Sequence, residues 1–458
     1  MNGAALRPSV FNVFVDALFD DCTIAFNTCS GAFRALDGDD FDALTKGLDG
    51  MSVNKALVEN LHQDGFLVDK NLDEYTHIQD KYATSYAQTD GLALTIAPTV
   101  DCNFGCSYCF QEHTNDRMSQ QDQTGLIRYV EQNLKPNTSL SITWFGGEPL
   151  TAFSIVEDLS QALTKLAKDR NCLLNQAIIS NGYLLNEKRI TTLATLENLT
   201  LVQITLDGPA DIHDKRRTTK GKNLPTFSRI LDNVAKAASR LSITLRINVD
   251  KTNIGGLEAL VDEIIARGLK NKVGLYLGHT LPYTEVCGNM DQTAFSREEF
   301  ASVDAGFKLY LVQMGFQNVV SLPRPQSSSL CIADHPQGRV ISPHGAVFRC
   351  WNETALAANE AVAHLDENGA LAGSDNDRAK IWDGFNPFSH DPCKTCTVMP
   401  LCKGGCPWEA IKNSKNEPGH CTHLRWTLPD ILRLYHLETT VRTSLKKIEN
   451  AHMDYPCA

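Results

Sequence analysis

This sequence predicts an α/β fold built on a parallel sheet, and three observations carry that prediction. Six apolar, β-type runs, at residues 92–96, 140–145, 177–180, 201–206, 243–249 and 273–277, are separated by stretches of helical periodicity such as 155–166, 227–238 and 257–266. Strands alternating with helices make parallel units in one sheet, and six of them are too few to close an eight-stranded barrel. Residues with chemical character stand just behind these runs: three cysteines after the first, Gly146, Gly147 and Glu148 after the second, Ser180 and Asn181 after the third. In barrels of this type chemistry gathers there, at the C-terminal ends of the strands.

Composition sets the frame. The chain has 458 residues, enough for about two to four domains, and 42% are hydrophobic, enough for packed cores. No apolar run is long enough to span a bilayer and no basic-then-apolar leader follows Met1, so the expected compartment is the cytoplasm, with no membrane partner. In that reducing setting fifteen cysteines point away from disulfides and toward metal ligation, the more so because ten of them fall into recognisable spacings. A net charge of -11 argues against nucleic acid as the main partner, and the short basic run at Lys215, Arg216 and Arg217 leaves that unchanged.

In chain order, residues 11–86 read as a small mixed domain. Two β-type segments, 23–26 and 32–36, flank an Asn27-Thr28-Cys29-Ser30-Gly31 turn and predict a hairpin. Residues 41–48 and 53–63 predict two short amphipathic helices, and Gly65-Phe66-Leu67-Val68 a further strand that joins the hairpin in a small sheet. Together they make a winged-helix-like unit. In pattern and placement, including the Asp73-Glu74 pair, it resembles the precursor-peptide recognition domains fused to peptide-modifying radical enzymes; the alternative is a structural cap on the barrel. Cys22 and Cys29 read as small buried hydrophobes.

Behind the first barrel strand, residues 101–110 read DCNFGCSYCF and set Cys102, Cys106 and Cys109 at CxxxCxxC spacing. Three thiolates on one short loop can hold three irons of a [4Fe-4S] cube and leave the fourth open for chemistry. A zinc site is the alternative, with His113 as the nearby fourth ligand. The spacing, with Asn103, Phe104, Gly105 and Tyr108 inside it, resembles the signature of the radical S-adenosylmethionine enzymes, which fold as partial (β/α)6 TIM-type barrels. The resemblance implies that the open iron binds the amino and carboxylate groups of S-adenosylmethionine. It extends to Gly146-Gly147-Glu148-Pro149, whose family counterpart binds the cofactor's amino group: the glycines allow close backbone approach and the glutamate offers a carboxylate. Ser180-Asn181-Gly182 resembles the ribose-contacting segment. Asp207-Gly208-Pro209 followed by His213-Asp214-Lys215-Arg216-Arg217 resembles the family's DGP and HDxxR pattern, which gives Arg217 the cofactor carboxylate; a solvated basic loop is the plainer alternative. Arg246 and Asn248 alternate with Leu245, Ile247 and Val249, so both are expected to face the barrel mouth.

The repeat fades after residue 278; residues 296–311 still read as helix, and Pro323, Pro325 and a serine run mark a boundary. Beyond it Cys331, Gly345 and Cys350 give C-x13-G-x4-C, and Cys393, Cys396, Cys402 and Cys406 give C-x2-C-x5-C-x3-C, with Cys421 closing the set. These seven cysteines resemble the SPASM domain pattern, which in related enzymes binds two auxiliary iron-sulfur clusters. Carried over by position, Cys393, Cys396, Cys402 and Cys421 hold one complete [4Fe-4S] cluster. Cys331, Cys350 and Cys406 hold three irons of another, whose fourth iron takes Cys287 or stays open for a substrate thiolate. A zinc ribbon needs CxxC pairs, and only Cys393 and Cys396 form one within this set. Cys172 and Cys457 fit neither group. The expected segments are 1–88 for peptide recognition, 89–315 for the barrel, 316–430 for the SPASM domain and 431–458 for a C-terminal helix and tail.

The resemblance implies an enzyme with three [4Fe-4S] clusters and S-adenosylmethionine, reduced by a flavodoxin- or ferredoxin-type protein, whose 5'-deoxyadenosyl radical removes hydrogen from an unactivated substrate carbon. Cys350 is followed by Trp351-Asn352, where anaerobic sulfatase maturases commonly carry an aspartate; those enzymes also lack a long N-terminal domain. With about 90 residues ahead of the barrel, the chain looks more like maturases of ribosomal peptides, which bind a precursor through its leader and install thioether or carbon-carbon crosslinks. The competing expectations are oxidation of a Cys or Ser to formylglycine and, from another class, a multi-cluster electron carrier. A carrier has no need of Glu148 or Arg217.

Overall fold

The computed structural model describes residues 5–19, 21–45, 55–282, 290–325, 331–354, 356–412 and 420–453. It divides into two compact units: Met1–Ala87 with Arg297–Leu330 and Asn386–Ala458, and Gln88–Ser296 with Cys331–Phe385. These units cut across the four consecutive segments read from the sequence.

In the first unit, β1 (Leu6–Pro8), β2 (Asn12–Asp16), β3 (Thr23–Asn27), β4 (Phe33–Leu36) and β5 (Leu67–Asp69) form two small antiparallel sheets, β2-β3-β4 and β1-β5. The hairpin forms because Asn27 caps its own turn: its Oδ1 accepts from the backbone N–H groups of Cys29 and Ser30 at 3.0 and 2.9 Å, and Gly31 takes φ +78°. Strand alternation then separates the hairpin's faces. Ile24 and Phe26 pack with Val15, Val398, Leu401, Leu428 and Leu432, while Ala25 joins Leu36, Leu44, Leu61, Phe66 and Leu67. The strand expected to join the hairpin pairs with β1 instead. β2 already occupies that edge, and buried Glu74 anchors the β1 end by accepting from Arg7 Nη1 at 2.6 Å and the Val10 N–H at 3.0 Å. The helices Gly38–Thr45 and Lys55–Gln63 stand where two were expected; residues 46–48 and 53–54 of those expectations lie outside the described ones. The helix read at 296–311 is Arg297–Gln313, and a long helix, Leu424–Met453, follows the last cysteine of the motif.

In the second unit β6 (Leu92–Ile96), β7 (Ser139–Trp144), β8 (Leu173–Ser180), β9 (Leu199–Leu206), β10 (Ile243–Val249) and β11 (Val273–His279) lie side by side in sequence order, each parallel to the next. This is the partial (β/α)6 barrel. Its crossovers carry helices, the first of which, Gln120–Asn133, starts at a capping box where Ser119 and Asp122 satisfy each other's backbone N–H groups. In β10, Ile243, Leu245, Ile247 and Val249 are buried while Thr244, Arg246 and Asn248 are half-buried. Each fully buried aliphatic side chain there contributes roughly 1.5–3 kcal/mol, and the alternation turns the polar set to the opposite face.

The sheet continues past β6. β12 (Gly338–Ile341) pairs parallel with β6, and β13 (Ala346–Phe348), β14 (Ala363–Leu365) and β15 (Leu371–Ala372) extend it antiparallel to ten strands. That pairing draws residues 331–385 into the barrel unit. Only glycine fits at the start of β12, because a Cβ on Gly338 would stand 2.1 Å from the Ile332 carbonyl oxygen. Among the described residues no helix is long and apolar enough to cross a membrane.

Candidate active site

The cysteine loop behind β6 is held from two sides by backbone hydrogen bonds. From the segment after β7, the Gly147 N–H donates to Thr99 O at 3.1 Å and the Glu148 N–H to Asp101 O at 2.9 Å. From the segment after β9, Thr218 O and Arg216 O accept from the Gly105 and Ser107 N–H groups at 3.0 and 3.2 Å, and the Lys220 N–H donates to Asn103 O at 2.9 Å. Glycine is required at the first contact: a Cβ on Gly147 would stand 2.2 Å from Asp101 O, and one on Gly146, at φ +111°, 2.3 Å from Thr99 O.

Cys102 is buried, and its Sγ accepts from the Phe104 N–H at 3.4 Å; Cys106 and Cys109 are half-buried. Burial pushes the Cys102 thiol far up and the Cys106 thiol up to about 11, so three thiolates here require positive charge beside them. His113 does reach Cys109, with Nε2 3.3 Å from Sγ and Nδ1 3.0 Å from Val100 O. Yet among the described residues no three His, Cys, Asp or Glu converge as a single metal ion needs. A cube instead binds each thiolate at a separate iron.

Two predicted segments meet at one carboxylate. Fully buried Glu148 accepts from the Leu150 N–H at 2.9 Å and the Ser180 hydroxyl at 2.8 Å through Oε1, and from the Asn181 N–H at 2.7 Å through Oε2. A carboxylate offers about four acceptor sites, so about one is left. Burial raises its pKa, a cost that a cation at the remaining site offsets; the ammonium group of an amino-acid cofactor fits. Asn181 Nδ2 bonds Asn103 Oδ1 at 2.8 Å and stands 3.9 Å from Cys102 Sγ, and the buried Asn103 Nδ2 has no hydrogen-bond partner.

On the other side lies a charged network. The Tyr108 hydroxyl accepts from Arg217 Nη1 at 2.6 Å and Asn248 Nδ2 at 3.3 Å, and donates to Asp207 Oδ1 at 2.8 Å. Arg216 pairs with Asp207 and Asp250, each at 2.9 Å, and lies over the Tyr108 ring at 4.8 Å. Asp207 is therefore compensated by Arg216. Arg217 comes no nearer to that carboxylate than 3.8 Å, and its Nε is buried without a partner. A buried guanidinium with an unused donor beside the cysteine loop fits a carboxylate ligand.

His213 supports the arrangement. Its Nδ1 accepts from the Asp207 N–H at 3.3 Å, its Nε2 is 3.1 Å from Thr226 Oγ1, and that hydroxyl donates to Arg217 O at 2.6 Å. Burial pushes the imidazole down to about 3, so it serves as a neutral donor and acceptor. Asn248 reaches the site, as its position in β10 predicts, while Arg246 Nε bonds Asn248 Oδ1 at 2.8 Å. The sequence reading named Asp207 and His213 only as motif members and passed over Asp250, for which no local signal exists: barrel closure alone brings it to Arg216.

The remaining cysteines fall in both units. In the first, Cys393, Cys396, Cys402 and Cys421 line one small cavity. Cys406, also there, donates its thiol to Glu409, which pairs with Arg297; burial pushes the thiol up to about 11. Cys331 and Cys350 belong to the second unit, where the Cys331 N–H donates to Asp334 Oδ1 at 2.8 Å. Cys287 lies outside the described residues, and no described cysteine forms a disulfide.

Residues 96–264 match the radical SAM superfamily. The chain is similar to the serine-type anaerobic sulfatase-maturating enzyme of Klebsiella aerogenes, at 20% identity over 329 residues that cover 67% of this chain and 77% of that protein. Among solved structures it is similar to anSMEcpe with bound AdoMet and a peptide, with a TM-score of 0.53 and 18% identity over 76% of this chain and 99% of that one. It is also similar to Streptococcus suis SuiB bound to precursor peptide SuiA, with a TM-score of 0.51 and 15% identity over 91% and 98%. At these identities the solved structures speak to the fold. The cysteine loop, Glu148 and Arg217 all fall inside the matched span, at the strand ends of a partial barrel, and residues 96–264 form a radical SAM domain.

Proposed function

We propose that this radical SAM enzyme matures a ribosomal precursor peptide, installing a thioether or carbon-carbon crosslink at a carbon from which hydrogen has been removed. The observation that carries this reading is the extent of the likeness to peptide-bound SuiB. It leaves about 41 of 458 residues uncovered, fewer than half of residues 1–87, so it takes in part of that N-terminal segment as well as the barrel.

In this reading Cys102, Cys106 and Cys109 hold the reactive [4Fe-4S] cluster. Glu148, approached through Gly146 and Gly147, takes the amino group of S-adenosylmethionine; Ser180 and Asn181 take its ribose and Arg217 its carboxylate. Bound there, cluster and cofactor supply a 5'-deoxyadenosyl radical, chemistry that belongs to the cofactor. The chain orients: Tyr108, fixed by Asp207 and Asn248, holds Arg217 in place, and His213 holds the backbone on either side. Cys393, Cys396, Cys402 and Cys421 hold one auxiliary cluster, and Cys331, Cys350 and Cys406 ligate a second. Residues 1–88 bind the leader, 89–315 form the catalytic barrel, 316–430 the SPASM domain and 431–458 the closing helix and tail. A flavodoxin- or ferredoxin-type protein in the cytoplasm supplies the electrons.

A second reading, oxidation of a peptide Cys or Ser to formylglycine, is favoured by the similarity to the Klebsiella sulfatase-maturating enzyme. One experiment separates them. Anaerobically reconstituted, reduced protein is given S-adenosylmethionine with either a genomically neighbouring precursor or a short sulfatase-type peptide. The proposed reading expects 5'-deoxyadenosine and a precursor that has lost two hydrogens and resists hydrazine reagents. An aldehyde on the sulfatase peptide, trapped as a hydrazone, with the precursor untouched, would replace it by the second. Cys106→Ala should abolish 5'-deoxyadenosine in either case.

A further inference from the structure

The four-cysteine cavity of the first unit carries polar groups that ligation alone does not explain. His420 is 6% exposed, and its Nε2 is buried with no hydrogen-bond partner; Thr422 Oγ1 is likewise buried and unpartnered. Both residues line the cavity, one on each side of Cys421. A third donor already points at sulfur, Arg425 Nη1 at 3.7 Å from Cys421 Sγ, and a fourth, the Gly404 N–H, bonds the Cys402 thiol. None of the described residues lining the cavity is acidic. Buried donors without acceptors are costly, and the sulfurs of Cys393, Cys396, Cys402 and Cys421, which line the same cavity, offer acceptors within it.

The backbone holds the donors in place. Gly404 and Gly405 take φ +80° and +82° and press the chain between Cys402 and Cys406 against His420. The Cys406 N–H donates to His420 O at 3.0 Å, and a Cβ on Gly405 would stand 2.0 Å from that oxygen. The His420 ring packs against His390 with centroids 4.5 Å apart.

We propose that His420, Thr422 and Arg425 form a hydrogen-bond shell on the sulfurs of the cluster at Cys393, Cys396, Cys402 and Cys421 and hold its reduction potential up. The inference rests on the reading that these four cysteines bind a [4Fe-4S] cluster. Donors to cluster sulfurs favour the reduced state, which carries more negative charge, and hydrogen bonding is one of the levers that set such potentials. The shell thereby makes this site a better electron acceptor than the same four cysteines would be without it.

The test is an EPR-monitored redox titration of the full chain carrying Cys102→Ala, Cys106→Ala and Cys109→Ala, following the component that an added Cys393→Ala removes. Thr422→Val, nearly isosteric, is the decisive variant, joined by Arg425→Met and His420→Phe. At the parent midpoint, the ratio of reduced to oxidised cluster should fall about tenfold in the Thr422→Val, Arg425→Met double variant, a shift of about 59 mV to lower potential, with iron and sulfide unchanged. An unmoved midpoint with iron retained would overturn the proposal. If Cys393→Ala removes neither iron nor an EPR component, the cluster reading itself fails.

Discussion

Arg217 shows how much a single position can be asked to do. Along Lys215, Arg216 and Arg217 burial rises from exposed to half-buried to buried, and the three cations part company: Arg216 is ion-paired to Asp207 and Asp250 at 2.9 Å each, while Arg217 comes no nearer to Asp207 than 3.8 Å, and each arginine keeps one buried nitrogen without a partner, Nη2 in Arg216 and Nε in Arg217. Replacing it by lysine keeps the charge but loses the fork that serves Tyr108 and a ligand together. A hydrogen bond to a charged group contributes about 1.5–3 kcal/mol, roughly ten- to hundredfold in affinity. Arg217→Lys should therefore weaken S-adenosylmethionine binding by about that factor in equilibrium dialysis while iron per chain stays constant. Unchanged affinity would remove Arg217 from the cofactor's carboxylate. The sequence motif proposed Arg217 and not its neighbour; it could not show what holds Arg216, because Asp250, one of the two acids paired with it, lies behind a different strand, β10.

At the level of elements, the glycine pair after β7 is a steric contact with the cysteine loop and not a flexible turn. The atoms that a Gly147 Cβ would meet, Asp101 O at 2.2 Å and Asp101 C and Val100 O at 2.6 Å, are all backbone, so no side-chain rotation relieves the overlap. Overpacking of this kind costs roughly 1–3 kcal/mol, and displacing a reactive centre by about 1 Å can cost about a hundredfold in rate. Gly147→Ala should lower 5'-deoxyadenosine formation by about that much, whereas Gly255→Ala, where a Cβ meets nothing within 4 Å, should match the parent. Equal rates for the two variants would show that the contact does not position the loop. Five of the six barrel strands were legible as runs of five or more apolar or alternating residues bounded by turn signals, and of β8 only residues 177–180 were read, placed by the repeat on either side. β12 and β1, at four and three residues, are too short to show a period, and their partners are set by tertiary pairing with β6 and β5.

For the molecule as a whole, the sequence order of segments suggests that residues 1–87 can be removed as a module, and the packing of the first unit argues otherwise. Ile24 and Phe26 of the hairpin share a core with Val398, Leu401, Leu428 and Leu432, which lie between and just beyond the cysteines of the four-cysteine site. The buried Thr28 hydroxyl donates to the carbonyl of Thr397, next to Cys396, and Phe33 meets Tyr435 edge-on with centroids 5.1 Å apart. Tyr82 stands under Lys403 at 5.7 Å and against Phe388 at 5.4 Å. Each large apolar side chain exposed by the deletion forfeits roughly 1.5–3 kcal/mol, a large part of the stability of an ordinary domain. Since metal ligation and folding are linked, the loss should reach the metal. Deleting residues 1–87 is predicted to remove about one cluster's worth of iron, the same EPR component that Cys393→Ala removes, and to spare the site at Cys102, Cys106 and Cys109. Leader recognition is then to be mapped by surface substitutions in the full chain. Full iron content after truncation, with only precursor binding lost, would show the N-terminal residues to be a separable recognition module after all.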